Sequence, residues 1–164
     1  LRFLPHLAGE RAPFPDPDAR GAWVGLSLRH GRGHLVRAVL EGVAATMAMV
    51  LEIVRDLPVP VERVRLGGGG NRSELWRQMQ ADLYRVPVAA MNVEEGPAFG
   101  AALMAGVGAG VFDGLAEATD AALRETEVRD PAPPAAYEHL VAEQRAVYHA
   151  LRPRFAQLAR SADG

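Results

Sequence analysis

The chain has 164 residues, of which 49% are hydrophobic and 23% are charged, and its net charge is −2 at pH 7. This profile predicts one globular domain over residues 1–164; it excludes a strongly basic nucleic-acid-binding surface, and no apolar run reaches the roughly 18 residues of a membrane span. Cysteine is absent, which excludes disulfides and thiolate zinc sites and fits a cytoplasmic setting. All 18 Lys/Arg positions hold arginine, which excludes a phosphate-loop lysine.

The first third of the chain predicts a loop region followed by a long helix. Residues 1–30 are rich in proline and glycine and carry short apolar pieces, which indicates loop with one or two short strands. A helix is predicted from Gly33 to about Leu57, because apolar residues recur at helical spacing until "LPVP" stops it. The residues expected on its buried stripe are Leu35, Val39, Gly42, Val43, Thr46, Met47, Val50 and Val54.

The rest of the chain predicts alternating strands and helices. A strand over Val61–Leu66 leads into four consecutive glycines, Gly67–Gly70. The next expected elements are a helix through Arg85 capped by Asn71 or Ser73, a strand over Val86–Val93 and a small-residue helix over Gly96–Val107. They are followed by a short helix over 113–126 and a final helix from Tyr137 to about Ala159, interrupted or ended near Pro153. This order predicts an α/β fold with parallel strands.

Four glycines between a strand and a helix make a seat for a ligand, since bare backbone allows close approach and a helix start offers unpaired N–H groups. A phosphate loop is excluded, because no lysine follows the last glycine. Asn71 and Glu74 at the helix start resemble a capping box. Three interpretations stay open here: the dinucleotide fingerprint Gly68-x-Gly70-x-x-Ser73 with Glu94 after the next strand, glycines flat against a base and ribose, and a turn that binds nothing.

Four stretches of the sequence resemble segments of a known family. They are "FLPHLAGERAPFPDPDARG" (3–21), "GAWVGLSLRHGRGHLVRAVLE" (21–41), "LGGGGNRSELWRQMQADLYRVPV" (66–88) and "EEGPAFGAALMAGVGAG" (94–110). The second of them fits a family signature throughout. Together they resemble the C-terminal domain of the FGGY carbohydrate kinases, from Phe3 to about Phe112. The segment Gly9-Glu10-Arg11 is more similar to the xylulokinases of that family than to its glycerol kinases.

The resemblance implies the actin-like ATPase (ribonuclease H-like) fold, with this chain as the C-terminal lobe of a two-lobe sugar kinase. It implies that the adenine and ribose of ATP lie against three glycines, with Ser73 bonding toward the base. The implied nucleotide-binding residues are Gly68, Gly69, Gly70, Asn71 and Ser73. It also implies an interdomain hinge in the small-residue helix, although a helix buried within this lobe would use the same residues. The implied hinge residues are Gly96, Ala98, Gly100, Ala101 and Ala102.

The function implied is transfer of a phosphoryl group from ATP, with Mg²⁺, to the terminal hydroxyl of D-xylulose, or to glycerol, ribulose or gluconate as in other members. In the family the catalytic base, the sugar-binding residues and the Mg²⁺-linked acids lie in the N-terminal lobe, outside this sequence. We therefore predict no catalytic residue here, no kinase activity of these 164 residues alone, and an N-terminal lobe of the same chain as partner. A homodimer, a noncatalytic nucleotide-binding module and an oxidoreductase dinucleotide domain stay open.

The other polar residues that stand out are expected to have structural roles. Asp16 and Asp18 are expected to form a turn around Pro17, and Glu10 and Arg11 to form an ion pair. Glu94 and Glu95 are expected to begin a helix, where carboxylates interact favourably with the helix dipole. His30 and His34 have the spacing of a helical metal-binding pair, but no third ligand is evident, so no metal site is predicted. The sequence leaves the role of residues 113–164 open.

Overall fold

A computed structural model describes residues 1–94, 96–133, 137 and 139–162. The chain divides into two compact units, one formed by Leu1–Pro60 with the segment from Pro133 onward and the other by Val61–Ala132. Each unit is built around its own helices and strands. Within the described residues, no helix combines the length and the apolar character needed to cross a membrane.

The first unit joins the beginning of the chain to its last helix. Strands β1 (Arg2–Leu4) and β2 (Ala22–Val24) pair antiparallel, with Phe3 opposite Trp23. The loop between them contains the turn cluster predicted from its prolines, where Asp16 accepts a hydrogen bond from the Asp18 backbone N–H at 3.0 Å. Helices α1 (Arg32–Arg55) and α5 (Leu140–Ala162) pack against β1 and against each other.

Helix α1 is confirmed, but the prediction of its buried face is wrong in part. Met47 and Val54 from the predicted stripe are exposed, whereas Gly42 and Thr46 are buried. The buried face consists mainly of small residues: Ala38, Gly42, Ala44, Ala45, Thr46, Ala48 and Met49. Close approach to β1 explains the difference, because a Cβ on Gly42 would overlap the carbonyl oxygen of Phe3. Small residues, and not the larger aliphatic ones, let the helix come that near.

Helix α5 gives the tail a structural role that the sequence left open. Its Tyr148 ring is buried and stacks on Phe14, with ring centroids 3.8 Å apart and planes 5° from parallel. Its Gln144 side chain is buried and donates a hydrogen bond to the Phe3 carbonyl oxygen at 2.7 Å. Leu4 and Phe155 join Tyr148 in one buried cluster. The predicted break near Pro153 is wrong, because the helix continues through that proline and buries residues beyond it.

The tyrosine at the centre of this cluster predicts an alkaline limit to stability. Burial of the ring and a 2.8 Å hydrogen bond from its hydroxyl to Asp16 raise the pKa of Tyr148 from 10.0 to about 12. Since the folded-state pKa exceeds the unfolded value, this group's contribution is complete below pH 10.0 and is lost as the pH rises through about 12. Urea denaturation across that range should show a fall in the free energy of unfolding that is smaller in Tyr148→Phe. Equal falls in both proteins would contradict the prediction.

The second unit is an α/β unit around a three-stranded sheet. Strand β3 (Val64–Leu66) pairs parallel with β4 (Val88–Met91), as the sequence predicts. Helix α2 (Glu74–Tyr84) forms the crossover between these two strands. Helices α3 (Gly96–Gly108) and α4 (Leu115–Ala122) follow β4. The central strand β4 buries Val88, Ala89 and Ala90, so it anchors the whole unit.

The third strand of this sheet was not predicted. Strand β5 (Glu125–Arg129) pairs antiparallel with β4, and residues 125–126, expected in a helix, belong to it. Its sequence, ETEVR, is charged and largely exposed, so it lacks the apolar alternation by which half-buried strands are recognised. Its place is fixed by backbone pairing with β4, which no local pattern encodes. This strand brings Glu127 close to the glycine segment.

Candidate functional site

The glycine segment forms a tight turn between β3 and α2. Gly68 has φ = +82°, a conformation that favours glycine, and a single 3₁₀ turn follows it over Gly69–Arg72. The Asn71 N–H donates to the Gly68 carbonyl oxygen at 3.1 Å, and the Ser73 N–H donates to the Gly70 carbonyl oxygen at 3.2 Å. The turn therefore has one defined shape, and it ends at the first turn of α2.

The outer side of this turn is open space. Among the described residues, apart from its chain neighbours, no heavy atom lies within 4 Å of a Cβ added to Gly67, Gly68 or Gly69. At Gly70 the same atom would lie 3.2 Å from Nε1 of Trp76. Packing within the chain therefore does not explain a glycine at position 69. A glycine at this position leaves the backbone accessible to a flat ligand, because a side chain there would project into the open space.

Asn71 is the buried polar residue of the turn. Only 8% of it is exposed, and its Nδ2 donates to the carbonyl oxygen of Met91, at the end of β4, at 3.1 Å. Its Oδ1 is buried and has no hydrogen-bond partner among the described residues. The capping box with Glu74 is therefore not formed, because the Asn71 side chain turns toward β4. An unpaired buried acceptor is a group that a donor from a ligand could satisfy.

Ser73 caps helix α2. Its hydroxyl accepts a hydrogen bond from the Trp76 N–H at 3.3 Å, and its backbone is extended, as in a helix N-cap. This confirms one of the two capping residues that the sequence offered. The role of Ser73 toward a base stays a prediction, and the hydroxyl retains a free proton to donate, because a cap uses only its lone pair.

Arg72 and Glu94 link the glycine turn to the segment that follows β4. The guanidinium holds the carboxylate in a bidentate ion pair, with Nε to Oε1 at 2.7 Å and Nη2 to Oε2 at 2.6 Å. The pair is solvent-exposed, and it lowers the pKa of Glu94 and raises that of Arg72. A dinucleotide-binding carboxylate would bind a ribose hydroxyl, whereas Glu94 is engaged by the arginine. Glu95, its predicted partner at the helix start, lies outside the described residues.

A buried arginine beneath the turn was missed at the sequence level. The Arg77 side chain is 5% exposed and donates to the Asn71 carbonyl oxygen and to the Glu127 carboxylate. A signal for it was present, since Arg77 stands at helical spacing with Gln80, Ala81 and Tyr84, which are buried. An arginine on the buried face of a helix has to be paired, so its position on this face predicts a partner within the fold.

The predicted hinge residues lie along α3. Leu103 is the buried residue of this helix, while the small residues on its other sides are exposed or half-buried. Gly100 of the predicted hinge residues is half-buried, and the other four are exposed: Gly96, Ala98, Ala101 and Ala102. The alternative interpretation of the sequence was a helix buried within this unit, and such a helix would have these residues buried. Their exposure leaves them accessible to another part of a longer protein.

The sequence model for the C-terminal domain of the FGGY family of carbohydrate kinases matches residues 1–109. The chain belongs to this family. The family assignment made from the four sequence stretches is thereby confirmed.

Relatives of this FGGY domain include kinases for different substrates. Xylulose kinase from Bacillus subtilis is 38% identical over 125 residues, which is 76% of this chain and 25% of that protein. Gluconokinase from the same organism is 37% identical over 136 residues, or 80% of this chain and 26% of that protein. The chain thus spans about a quarter of the length of these relatives.

The fold of this FGGY domain matches that of solved sugar kinases. A ligand-bound xylulose kinase from Lactobacillus acidophilus superposes with a TM-score of 0.83 and 28% identity, covering 96% of this chain and 32% of that one. The predicted α/β fold of a C-terminal kinase lobe is confirmed. Because the superposition covers nearly the whole chain, most of the tail beyond residue 109 also belongs to the shared fold.

The histidine and carboxylate candidates of this FGGY domain hold local structure. Nδ1 of His30 accepts from the Ser27 N–H at 2.9 Å, and Nδ1 of His34 accepts from the Gly31 N–H at 3.1 Å, at the start of α1. Glu10 pairs with the buried His6 at 2.8 Å, and its other oxygen accepts from the Arg11 backbone, so the expected side-chain ion pair is replaced. Within the part of the chain that the structure describes, no three potential metal ligands converge.

Proposed function

We propose that this chain is the ATP-binding lobe of a two-lobe kinase that phosphorylates D-xylulose. The observation that carries the proposal is the glycine turn, where Gly69 faces open space and the buried Asn71 has an unpaired oxygen. The family assignment supports ATP as the nucleotide. The xylulose kinases among the relatives support the sugar, while the gluconokinase relative makes gluconate the second candidate.

In this proposal the turn binds the nucleoside part of ATP. The adenine and ribose lie against the bare backbone of Gly68, Gly69 and Gly70. The Oδ1 atom of Asn71 accepts a hydrogen bond from the nucleotide, and the Ser73 hydroxyl donates one toward the base. These groups are fixed before the nucleotide arrives, because the 3₁₀ turn and the N-cap already hold them.

The chemistry of transfer depends on parts outside this chain. ATP supplies the phosphoryl group, and transfer needs a base for the sugar hydroxyl and a cation clamp for the phosphates. We assign the base, the sugar contacts and the Mg²⁺ ligands to an N-terminal lobe of the same protein, which would be cytoplasmic. Helix α3 would then pack against that lobe through its small residues, since side chains of one carbon let two helices approach closely and slide during closure.

A substrate panel tests this function. The complete kinase should phosphorylate D-xylulose with ATP and Mg²⁺, with a kcat/KM well above that for D-gluconate or glycerol, measured by coupled detection of ADP. The 164-residue chain alone should release no sugar phosphate. A higher kcat/KM for D-gluconate would refute D-xylulose as the substrate but would leave the proposed nucleotide site unaffected. ATP binding without turnover of any sugar would favour a noncatalytic module, and sugar phosphorylation by the 164 residues alone would refute the division of labour.

A further inference from the structure

We propose that Arg77 is a positioning residue for the nucleotide: it holds the glycine turn in its binding shape and does not itself touch ATP. The inference rests on the proposed ATP site at that turn. Arg77 lies in the first half of α2, its side chain is 5% exposed, and its guanidinium lies beneath the turn. Neither the family match nor the sequence motifs assign it a role.

The contacts of Arg77 converge on one residue of the turn. Its Nη1 donates to the Asn71 carbonyl oxygen, at the point where the 3₁₀ turn leads into the helix cap. Asn71 is held twice more, by its N–H on the Gly68 carbonyl oxygen and by its Nδ2 on the Met91 carbonyl oxygen, both at 3.1 Å. Three independent bonds thus fix the residue that closes the glycine run. The one from Arg77 is the charged one.

The second Nη atom of the Arg77 guanidinium bonds to a residue of the three-stranded sheet. Nη2 of Arg77 donates to a Glu127 carboxylate oxygen on β5, and that same oxygen lies 3.7 Å from Nη2 of Arg129. Arg129 in turn donates to Glu74, in the first turn of α2, at 2.6 Å. The fork of an arginine reaches a carbonyl and a carboxylate at once, which a lysine amine cannot do with the same fixed geometry. Strand β5 therefore sets the position of the turn through Arg77.

This arrangement has a consequence for binding. A run of glycines has more backbone freedom to lose than any other sequence, so a turn that became ordered only on binding would weaken ATP affinity. Arg77 removes that penalty by ordering the turn in the free protein. Its loss should weaken ATP binding and leave the sugar site and the transfer step unchanged. Glu127 is 54% exposed, so losing its partner leaves no buried charge to destabilise the fold.

The test compares ATP kinetics in variants of the complete kinase. Arg77→Gln should raise the KM for ATP and its Kd by calorimetry roughly tenfold, as expected for loss of a charged hydrogen bond, with kcat and the sugar KM within a factor of about two. Arg77→Lys, which keeps the charge and one contact, should restore part of the affinity. This split between KM and kcat distinguishes positioning from general loss of structure.

Gln80→Leu is the matched control, since Gln80 is equally buried in α2 and its hydrogen bonds to described residues stay within the helix, to Tyr84 and Trp76. It should lower the Tm without changing the KM for ATP. An unchanged KM in both Arg77 variants would overturn the inference, as would parallel changes in every kinetic constant. Should Arg77→Gln not fold, Arg77→Lys decides alone: a raised KM supports the inference and a wild-type KM overturns it. Failure of the wild-type kinase to bind ATP would instead remove the proposed function.

Discussion

Gly69→Val is expected to abolish ATP binding by the complete kinase while the fold survives. A Cβ at this position meets no atom of the described residues within 4 Å, and the backbone there is not in the left-handed region, so the free protein accommodates the side chain. The proposed adenine and ribose occupy the same space. Calorimetry should show affinity reduced by roughly a hundredfold or more, equivalent to about 3 kcal/mol of binding free energy. Gly70 is less suitable for this test, because Trp76 already crowds it.

Gly114→Val provides the control for that substitution. Gly114 precedes helix α4 in the same unit, its φ of −176° is extended, and a Cβ there is also unobstructed. It should leave ATP affinity close to that of the wild type, while the Tm falls, because Gly114 is the N-cap of α4 and valine is a poor N-cap. Unchanged ATP affinity in Gly69→Val would refute the placement of the nucleotide. A loss of folded protein in Gly69→Val alone would show that the turn needs this glycine for its own packing.

Gly42→Ala is expected to destabilise the first unit, although alanine is the better helix former. In helix α1 the added methyl group would overlap the carbonyl oxygen of Phe3, which is backbone and also accepts the bond from Gln144. Either the helix or the strand has to shift, and such overpacking typically lowers the free energy of unfolding by about 1–3 kcal/mol. Urea denaturation measures the loss.

Gly33→Ala, in the same helix, isolates the effect of helix propensity. No atom of the described residues, apart from the chain neighbours and the helix's own backbone, lies within 4 Å of a Cβ at Gly33, so the substitution should stabilise the protein by up to about 1 kcal/mol. Opposite signs for the two glycines are the expected result. A stabilising Gly42→Ala would mean that α1 and β1 are farther apart than the structure has them.

The elements with strong local signals were predictable from the sequence. Prolines ended α1, and the glycine run between an apolar strand and a capped helix located the βα turn. Burial within α1 was not predictable from side-chain size, because contact with the Phe3 carbonyl favours small residues over the aliphatic stripe. Strand β5 could not be seen either, since it is recognised only by its pairing with β4.

The candidate site shows the same division. Ser73 as a cap is a local property and was predicted, whereas the Asn71 side chain goes to Met91, 20 residues away in the chain. The link from Arg77 to Glu127 spans 50 residues and depends on the unpredicted strand. The proposal of a nucleotide comes from the family resemblance, whereas the contacts that hold the glycine turn in place are seen only in the structure.

The first unit is discontinuous along the chain, and this affects how the protein is made. During synthesis on a ribosome, Val61–Ala132 emerges as one uninterrupted stretch, so all the contacts within this unit become possible before α5 is translated. Leu1–Pro60 cannot complete its packing at that stage, because Gln144 is translated 141 residues after Phe3, and Tyr148 and Phe155 follow later still. Until then the buried cluster around Leu4 and the hydrogen bond to the Phe3 carbonyl oxygen cannot form, so a polypeptide that ends before α5 lacks the packing that completes this unit.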